Sequence, residues 1–531
     1  MIDEYIKTFK SLFYRMRPTS RALIIFLFIS ILLFIRSIYF DKYLSSDQMF
    51  FQLVYLGKTE INYSDYRVPA LDSYIPFVFT NYLRQFFQDP IWVYRSILPV
   101  LIFLYLTSFY VILKKLIQKE WISIIVPLVS LLPRKAMASM YWGIITIGHA
   151  THRAFLQPFF ILFFYLLYRY QHEPKRLTAI FLLFGIVSSL YPTQSFYLVA
   201  ISFLTLLITN HFAWKTWRQC VLYGIAFLLG TLYYILPNLT IGLNIDPLDP
   251  MLIPEFNEAL RYRFSYTFYP GSLYTYTRSI LLDSALLFAI YIFINKKIHT
   301  LSSEHQKLLH FSNINLLSVG IITFGMPLIQ DIISALFHTR LLIFEQFATS
   351  RFAYLNLYIG FALFLLYIRH HTKISFKKSS IYIVISITLL TLTNFFLLYD
   401  LIKKIYPLTE FSVTNPNFQE TCEWIKINTD PSLLLITEDF NFRLCTERKI
   451  FVSWKDGMVY LYRSPKNFIE WYRRLREQQE AYAQHDIVTL LTIAKNQNGS
   501  ILIDKLSWPE ITTLKTSILF ENNRYIFLHP K

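Results

Sequence analysis

The sequence predicts a mostly α, polytopic transmembrane protein: a helical bundle of about 11 spans followed by a small extracytoplasmic α/β domain. Three observations predict it. Of 531 residues, 54% are hydrophobic and 16% are charged, against about 25% charged in an ordinary soluble domain. The apolar residues gather in runs of about 20, the length a helix needs to cross the hydrocarbon core. From Pro407 onward the runs stop and short amphipathic segments replace them.

The candidate spans are 21–39, 96–113, 121–133, 154–168, 178–191, 193–209, 219–236, 279–294, 311–330, 352–368 and 380–399. The bilayer core offers no water to backbone amides, so these runs are expected to be helical. The segment 136–150 reads as re-entrant or interfacial. The first run, Arg21 to Tyr39, is long for a signal h-region and lacks a small-residue cleavage site, so it reads as a retained helix.

Charge fixes the expected orientation. With the N-terminus inside, the inner segments carry Lys7, Lys10, Arg15, Arg17 and Arg21, then Lys114, Lys115 and Lys119, then Arg169, Lys175 and Arg176. Lys215 and Arg218 follow, then Lys296, Lys297 and Lys307, and finally Arg369, Lys373, Lys377 and Lys378. All are basic and nearly free of acid, as cytoplasmic loops are. The net charge of +17 therefore reads as a topology signal, and nucleic acid is not an expected partner. The bilayer is. The orientation divides the chain into a transmembrane domain, 1–405, with a long first outer loop, 40–95, and a soluble domain, 406–531, outside. The expected location is a bacterial inner (plasma) membrane, with the C-terminal domain on the periplasmic or extracellular side.

Within the C-terminal domain, helices are expected at Pro416–Asn428, Pro465–Ala483 and Asp486–Lys495. Strands are expected at Leu433–Thr437, Lys449–Trp454, Ile501–Asp504 and Tyr525–Leu528. Alternating helices and strands predict a small α/β sandwich. No Gly-rich phosphate loop follows a strand, which argues against a nucleotide site. Cys422 and Cys445 both fall here, compatible with a disulfide in an oxidising compartment and equally with two thiols. Cys220 reads as structural.

Residues able to carry chemistry cluster at predicted outer ends. Asp41 and Asp47 follow the first span in DKYLSSDQMFFQLVYL, and Asp65 and Asp72 come after them. A carboxylate at the membrane face can act as general base for an acceptor hydroxyl or as a metal ligand. It can equally cap a helix, as Ser45-Ser46-Asp47 before an apolar run allows. Cations at the same level are Arg134, Lys135, Arg153, Arg340 and Arg351, with Arg153 and Arg351 each where a span starts. They suit a phosphate or snorkel to lipid headgroups. His149 and His152 share a helical face, but no carboxylate completes a metal site there. Tyr191-Pro192-Thr193 breaks two spans at a turn. The aromatic loop 262–278 suits an interfacial belt or a sugar-stacking surface.

This architecture resembles the GT-C class of integral membrane glycosyltransferases, which use polyprenyl-phosphate-linked sugars. SSDQMFF resembles the acidic site after the first helix of that class, and NYSDYRV its second acidic position. The stretch TCEWIKINTDPSLLLITEDFNFRLCTERKIFVSWKDG is similar to the post-membrane segment of bacterial GT-C-like proteins of unassigned reaction. The resemblance implies transfer of a hexosyl or pentosyl group from a polyprenyl-phosphate carrier to an extracytoplasmic glycan, lipid or protein acceptor. It implies Asp47 as base, Asp65 as its acidic partner, and Arg153 and Arg351 as phosphate-binding cations. The class's usual pair of carboxylates one residue apart is absent, so the need for a divalent metal stays open. Two other classes compete: a transporter or lipid flippase, and a non-catalytic cell-envelope assembly protein.

Overall fold

The structure, a computed structural model, describes residues 16–40, 75–87, 90–132, 134–135, 141–144, 152–242, 249–264, 284–337, 349–371, 416–457, 460, 464–508 and 518–530. The chain opens with α1 (Pro18–Phe40) and α2 (Ile75–Arg84), then α3 (Pro90–Ile117) and α4 (Glu120–Ser130). A hairpin of β1 (Arg134–Lys135) and β2 (Tyr141–Trp142) precedes α5 (His152–Tyr170) and α6 (Pro174–Val187). Then come α7 (Pro192–Thr209), α8 (Trp214–Gly242), α9 (Ile253–Phe264), α10 (Ser284–Lys296), α11 (Ser303–Phe337) and α12 (Ala353–His371).

Among the described residues, six of these helices are long and apolar enough to cross a membrane: α1, α3, α7, α8, α11 and α12. Their outward faces carry exposed Leu27, Phe28, Leu222, Leu229 and Leu328, a surface suited to lipid and unfavourable in water. The expected spans 121–133 and 178–191 are helices of 11 and 14 residues. At 1.5 Å per residue they rise about 17 and 21 Å, short of the roughly 30 Å core. The expected span 380–399 lies outside the described residues.

The segment expected to be re-entrant folds into the bundle where it is described. β1 and β2 pair antiparallel, and Trp142 and Ile144 are buried. The Trp142 indole donates to the Tyr105 hydroxyl at 2.9 Å, which donates to Ser130 Oγ at 2.7 Å. Gly143 between them has φ +103, and a Cβ there would stand 2.5 Å from the Leu131 carbonyl oxygen. Only glycine fits both conditions.

Two devices hold the bundle. Where α6 crosses α8, Gly185 and Gly230 let the backbones touch: a Cβ on Gly185 would lie 2.2 Å from the Phe227 carbonyl oxygen. Small residues permit this approach, and close packing then substitutes for the hydrophobic effect that lipid removes. The second device is a chain of neutral hydrogen bonds. Tyr291 of α10 donates to Ser312 of α11 at 3.1 Å, Ser312 donates to Asn356 of α12 at 2.9 Å, and Asn356 donates to Asn315 at 2.9 Å. Asn315 then donates to Thr205 of α7 at 3.1 Å. At the other edge, Lys114 of α3 meets Glu120 of α4 at 3.0 Å and Thr19 of α1 at 2.8 Å.

The C-terminal domain contains α13 (Pro416–Asn428), β3 (Leu434–Ile436), α14 (Phe442–Thr446), β4 (Lys449–Ile450), α15 (Pro465–Ala483), α16 (Ile487–Asn496), β5 (Gly499–Asp504), β6 (Ile518–Glu521) and β7 (Tyr525–Leu528). The sheet order is β4-β3-β5-β7-β6. β3 is parallel to β4 and β5, while β7 is antiparallel to β5 and β6. Alternation along the strands splits the core by face. Leu434, Ile436, Ile501 and Ile503 pack under α15 and α16, and Leu435, Leu502 and Phe527 pack under α13. Ser464 caps α15 and Asp486 caps α16, accepting from Asn467 N and Thr489 N. The expected strand 449–454 is paired only at Lys449 and Ile450, because Trp454–Asp456 turns into a 3-10 helix.

Cys422 and Cys445 form a disulfide with Cα atoms 5.5 Å apart, joining α13 to α14. Cys220 is buried and free.

One element of the transmembrane portion belongs to this domain's core. Ala259 and Leu260 of α9 are fully buried against α15. Around them, Glu255 takes a bidentate bond from Arg473 at 2.6 Å, and Glu258 accepts from the Tyr472 hydroxyl at 2.7 Å. Burial and then the bond to Glu258 push that hydroxyl up to about 12, so it remains a donor across physiological pH. Tyr262 bonds Gln479, its ring lying 5.3 Å from that of Tyr472. The Arg263 guanidinium stacks 3.7 Å over Trp454. α9 is thus a strap laid across the domain, and Tyr262, first residue of the expected aromatic belt, serves this contact. α2 also reaches the domain: Arg84 lies within electrostatic range of Glu447, and burial holds its pKa below the usual guanidinium value.

Candidate functional site

Three elements meet toward the predicted outer end of the bundle: the start of α7, the 3-10 turn Thr349–Phe352 that leads into α12, and α5 through Phe160. Their local sequences explain why. Pro192 occupies the first turn of α7, where its missing N–H costs nothing. The preceding 3-10 turn, Ser188–Leu190, is tied down by α8. Ser188 Oγ pairs with the Tyr234 hydroxyl at 2.7 Å, and Tyr233 pairs with Ser189. Tyr191 is thereby presented at a fixed place. Across from it, Thr349 Oγ1 bonds Thr323 Oγ1 of α11 at 2.6 Å, which fixes the turn that carries Arg351.

Arg351 is 4% exposed, and its guanidinium lies 5.7 Å above the centre of the Tyr191 ring. That distance lies within cation–π range. A buried cation beside a lipid-facing helix is costly, so such a residue marks a functional candidate with a physical reason. Phe352, the next residue, packs on Phe160 of α5 with centroids 4.8 Å apart. The helical repeat puts Arg153, Gln157 and Phe160 on one face of α5, so the backbone position of Arg153 is about two turns from this contact.

The four residues singled out from sequence therefore divide. Arg351 is brought over the ring of Tyr191. Arg153 is the second residue of α5. Asp47 and Asp65 lie outside the described residues, as do His149 and Arg340. Among the described residues, no three His, Cys, Asp or Glu side chains converge as a metal site would require.

Two polar side chains were not singled out from sequence. Gln157 is 7% exposed and Gln194, in the first turn of α7, is 2% exposed. The Oε1 of each is buried without a hydrogen-bond donor among the described residues. Gln157 was visible as an amide inside an apolar run, AFLQPFF, whereas Gln194 sits in the polar start of its span, YPTQSF.

In the C-terminal domain, the motif residues that carried the family resemblance turn out to hold structure. Arg443 donates to both carboxylate oxygens of Asp456, at 2.7 and 3.0 Å, with both side chains 3% exposed. Asp456 also accepts from Ser453 N at 2.8 Å. Arg448 closes the C-terminus of α13, donating to the Lys426 and Thr429 carbonyls at 2.9 and 2.7 Å, where the helix dipole favours a cation. Phe451 and Val452 are core residues.

A family model described as a domain of unknown function (DUF6798) matches residues 416–478. The matched stretch begins at α13 and ends within α15, and so includes the disulfide, the Arg443–Asp456 pair and the Arg448 cap. No curated protein matches the chain.

Proposed function

We propose that the chain is a membrane glycosyltransferase of GT-C type, moving a sugar from a polyprenyl-phosphate carrier to an extracytoplasmic glycan, lipid or protein acceptor. The observation that carries this reading is Arg351, buried over Tyr191 where α7 and α12 begin. A lipid phosphate gains charge as the sugar leaves, and a fixed, desolvated guanidinium stabilises it more strongly than one in water. In this reading Asp47 accepts the proton of the acceptor hydroxyl, with Asp65 beside it. The oxygen attacks the anomeric carbon from the face opposite the phosphate. The bond to phosphate breaks with its electron pair, and the carrier leaves as polyprenyl phosphate with inversion at the sugar. Arg153 is the second cation for that phosphate.

Two further features support the reading. The disulfide suits an oxidising compartment, which agrees with the orientation inferred from the basic segments and with a bacterial plasma membrane. The hydrogen-bonded spine across α7, α10, α11 and α12 is built of Tyr, Ser, Asn and Thr. Ion-coupled transport calls for ionisable groups at such a place, so the transporter reading gains nothing from it.

The test uses the full chain in liposomes with undecaprenyl-phosphate sugars, alongside Asp47→Asn and Arg351→Ala in cells. Loss of a general base is expected to slow transfer by roughly 10²–10⁴-fold, and loss of Arg351 by a comparable factor, at normal protein levels. Cell-surface glycans unchanged in both variants would defeat the reading.

A further inference from the structure

Gln157 and Gln194 share two properties. Both are more than nine-tenths buried, and neither carbonyl oxygen meets a donor among the described residues. Folded proteins rarely leave buried amides in that state. Replacing such a group by an apolar one of the same shape is neutral or favourable when nothing pairs with it. Retained at such a cost, the amides have a use outside the fold.

Their placement says what the use is. Gln157 lies one turn from Phe160, whose ring packs on Phe352, the neighbour of Arg351. Gln194 lies three residues beyond Tyr191, whose ring carries the Arg351 guanidinium. The neighbouring Ser195 bonds back to the Tyr191 carbonyl at 3.0 Å, fixing the first turn of α7 in which Gln194 sits. The two amides thus lie on α5 and α7, each about one turn from an aromatic ring that contacts Phe352 or the Arg351 guanidinium. An amide offers an acceptor and two donors without charge. That chemistry matches vicinal hydroxyls, whereas a second phosphate would call for cations.

We propose that Gln157 and Gln194 recognise the sugar ring of the donor while Arg351 holds its phosphate. This rests on the glycosyltransferase reading. The two amides set which sugar is accepted, because hydroxyls that fail to meet them leave buried groups unpaired on both sides.

The experiment takes the full chain in nanodiscs and measures binding of undecaprenyl phosphate, bare or carrying mannose, N-acetylglucosamine or arabinose. Gln157→Met and Gln194→Met remove the amide at similar volume. Each is expected to leave the melting temperature unchanged or higher, to leave binding of the bare carrier unchanged, and to weaken the preferred sugar-bearing carrier at least tenfold. A lower melting temperature in both variants means that the amides are satisfied within the protein and overturns the proposal. So does equal weakening of bare and sugar-bearing carriers, or no weakening of either, or a wild type that prefers none of the three sugars to the bare carrier. Arg351→Ala separates the two readings. If it leaves bare-carrier binding intact, the phosphate assignment falls, whereas a Gln result alone bears only on sugar recognition.

Discussion

Arg443 and Asp456 show how a motif can be legible in sequence while its purpose is not. The Phe442-Arg443 pair and the Trp454-Lys455-Asp456 run stand out in the chain, but nothing in their spacing says that they bond each other. In the structure they form a buried bidentate ion pair whose carboxylate is also bonded by Ser453 N. Removing one partner strands a charge in a dry core. Asp456→Ala is therefore expected to cost about 3–5 kcal/mol, read as a lower melting temperature of the full chain. Joint replacement of both residues by apolar side chains of similar size is expected to recover most of that loss. Arg351 was legible for a different reason: a cation at the start of an apolar run is conspicuous. The glutamines were less so, because an uncharged amide barely alters the hydropathy of its run. Asp47 and Asp65 lie outside the described residues, and their roles are proposed from sequence alone.

At the level of elements, periodicity located whatever was long. The six long apolar helices coincide with runs read from the sequence, and α13, α15 and α16 begin within a residue of the starts expected for them. Two short elements escaped. α14 has five residues, too few to show a helical repeat, and β6 has four with alternating exposure. The crossing of α6 and α8 depends on two glycines 45 positions apart in the numbering, whose pairing no local pattern reveals. A side chain at Gly185 would meet backbone atoms of α8, which cannot rotate away. Gly185→Leu is therefore expected to separate the two helices and lower the yield of folded protein, whereas Gly320→Leu, where a Cβ meets nothing within 4 Å, is expected to be tolerated. Size-exclusion profiles of the two variants in detergent make the comparison.

The whole molecule shows what a linear reading leaves out. Charge between apolar runs predicts an orientation, and a change in composition predicts a second domain, yet the core of that domain also draws on Ala259 and Leu260 from a loop between spans. Nothing near Ile253–Phe264 announces a partner more than 200 positions away. One core substitution and one reciprocal pair test the strap. Leu260→Asp is expected to release α9 and raise amide exchange across α15. Glu255→Arg with Arg473→Glu is expected to restore the protection that either change alone removes; the contact is partly exposed, so each single effect is modest, below about 1 kcal/mol.

The same strap has a consequence for how the protein is made. Glu255 leaves the ribosome 218 residues ahead of Arg473, a delay of roughly 10–40 s at ordinary elongation rates. Throughout that interval the apolar side of a nascent amphipathic segment has no docking surface, and quality-control proteases can reach it. Slow or stalled synthesis of the last quarter of the chain would lengthen that vulnerable period, so the cell's supply of this protein depends on the pace of translation as well as on the stability of the finished fold.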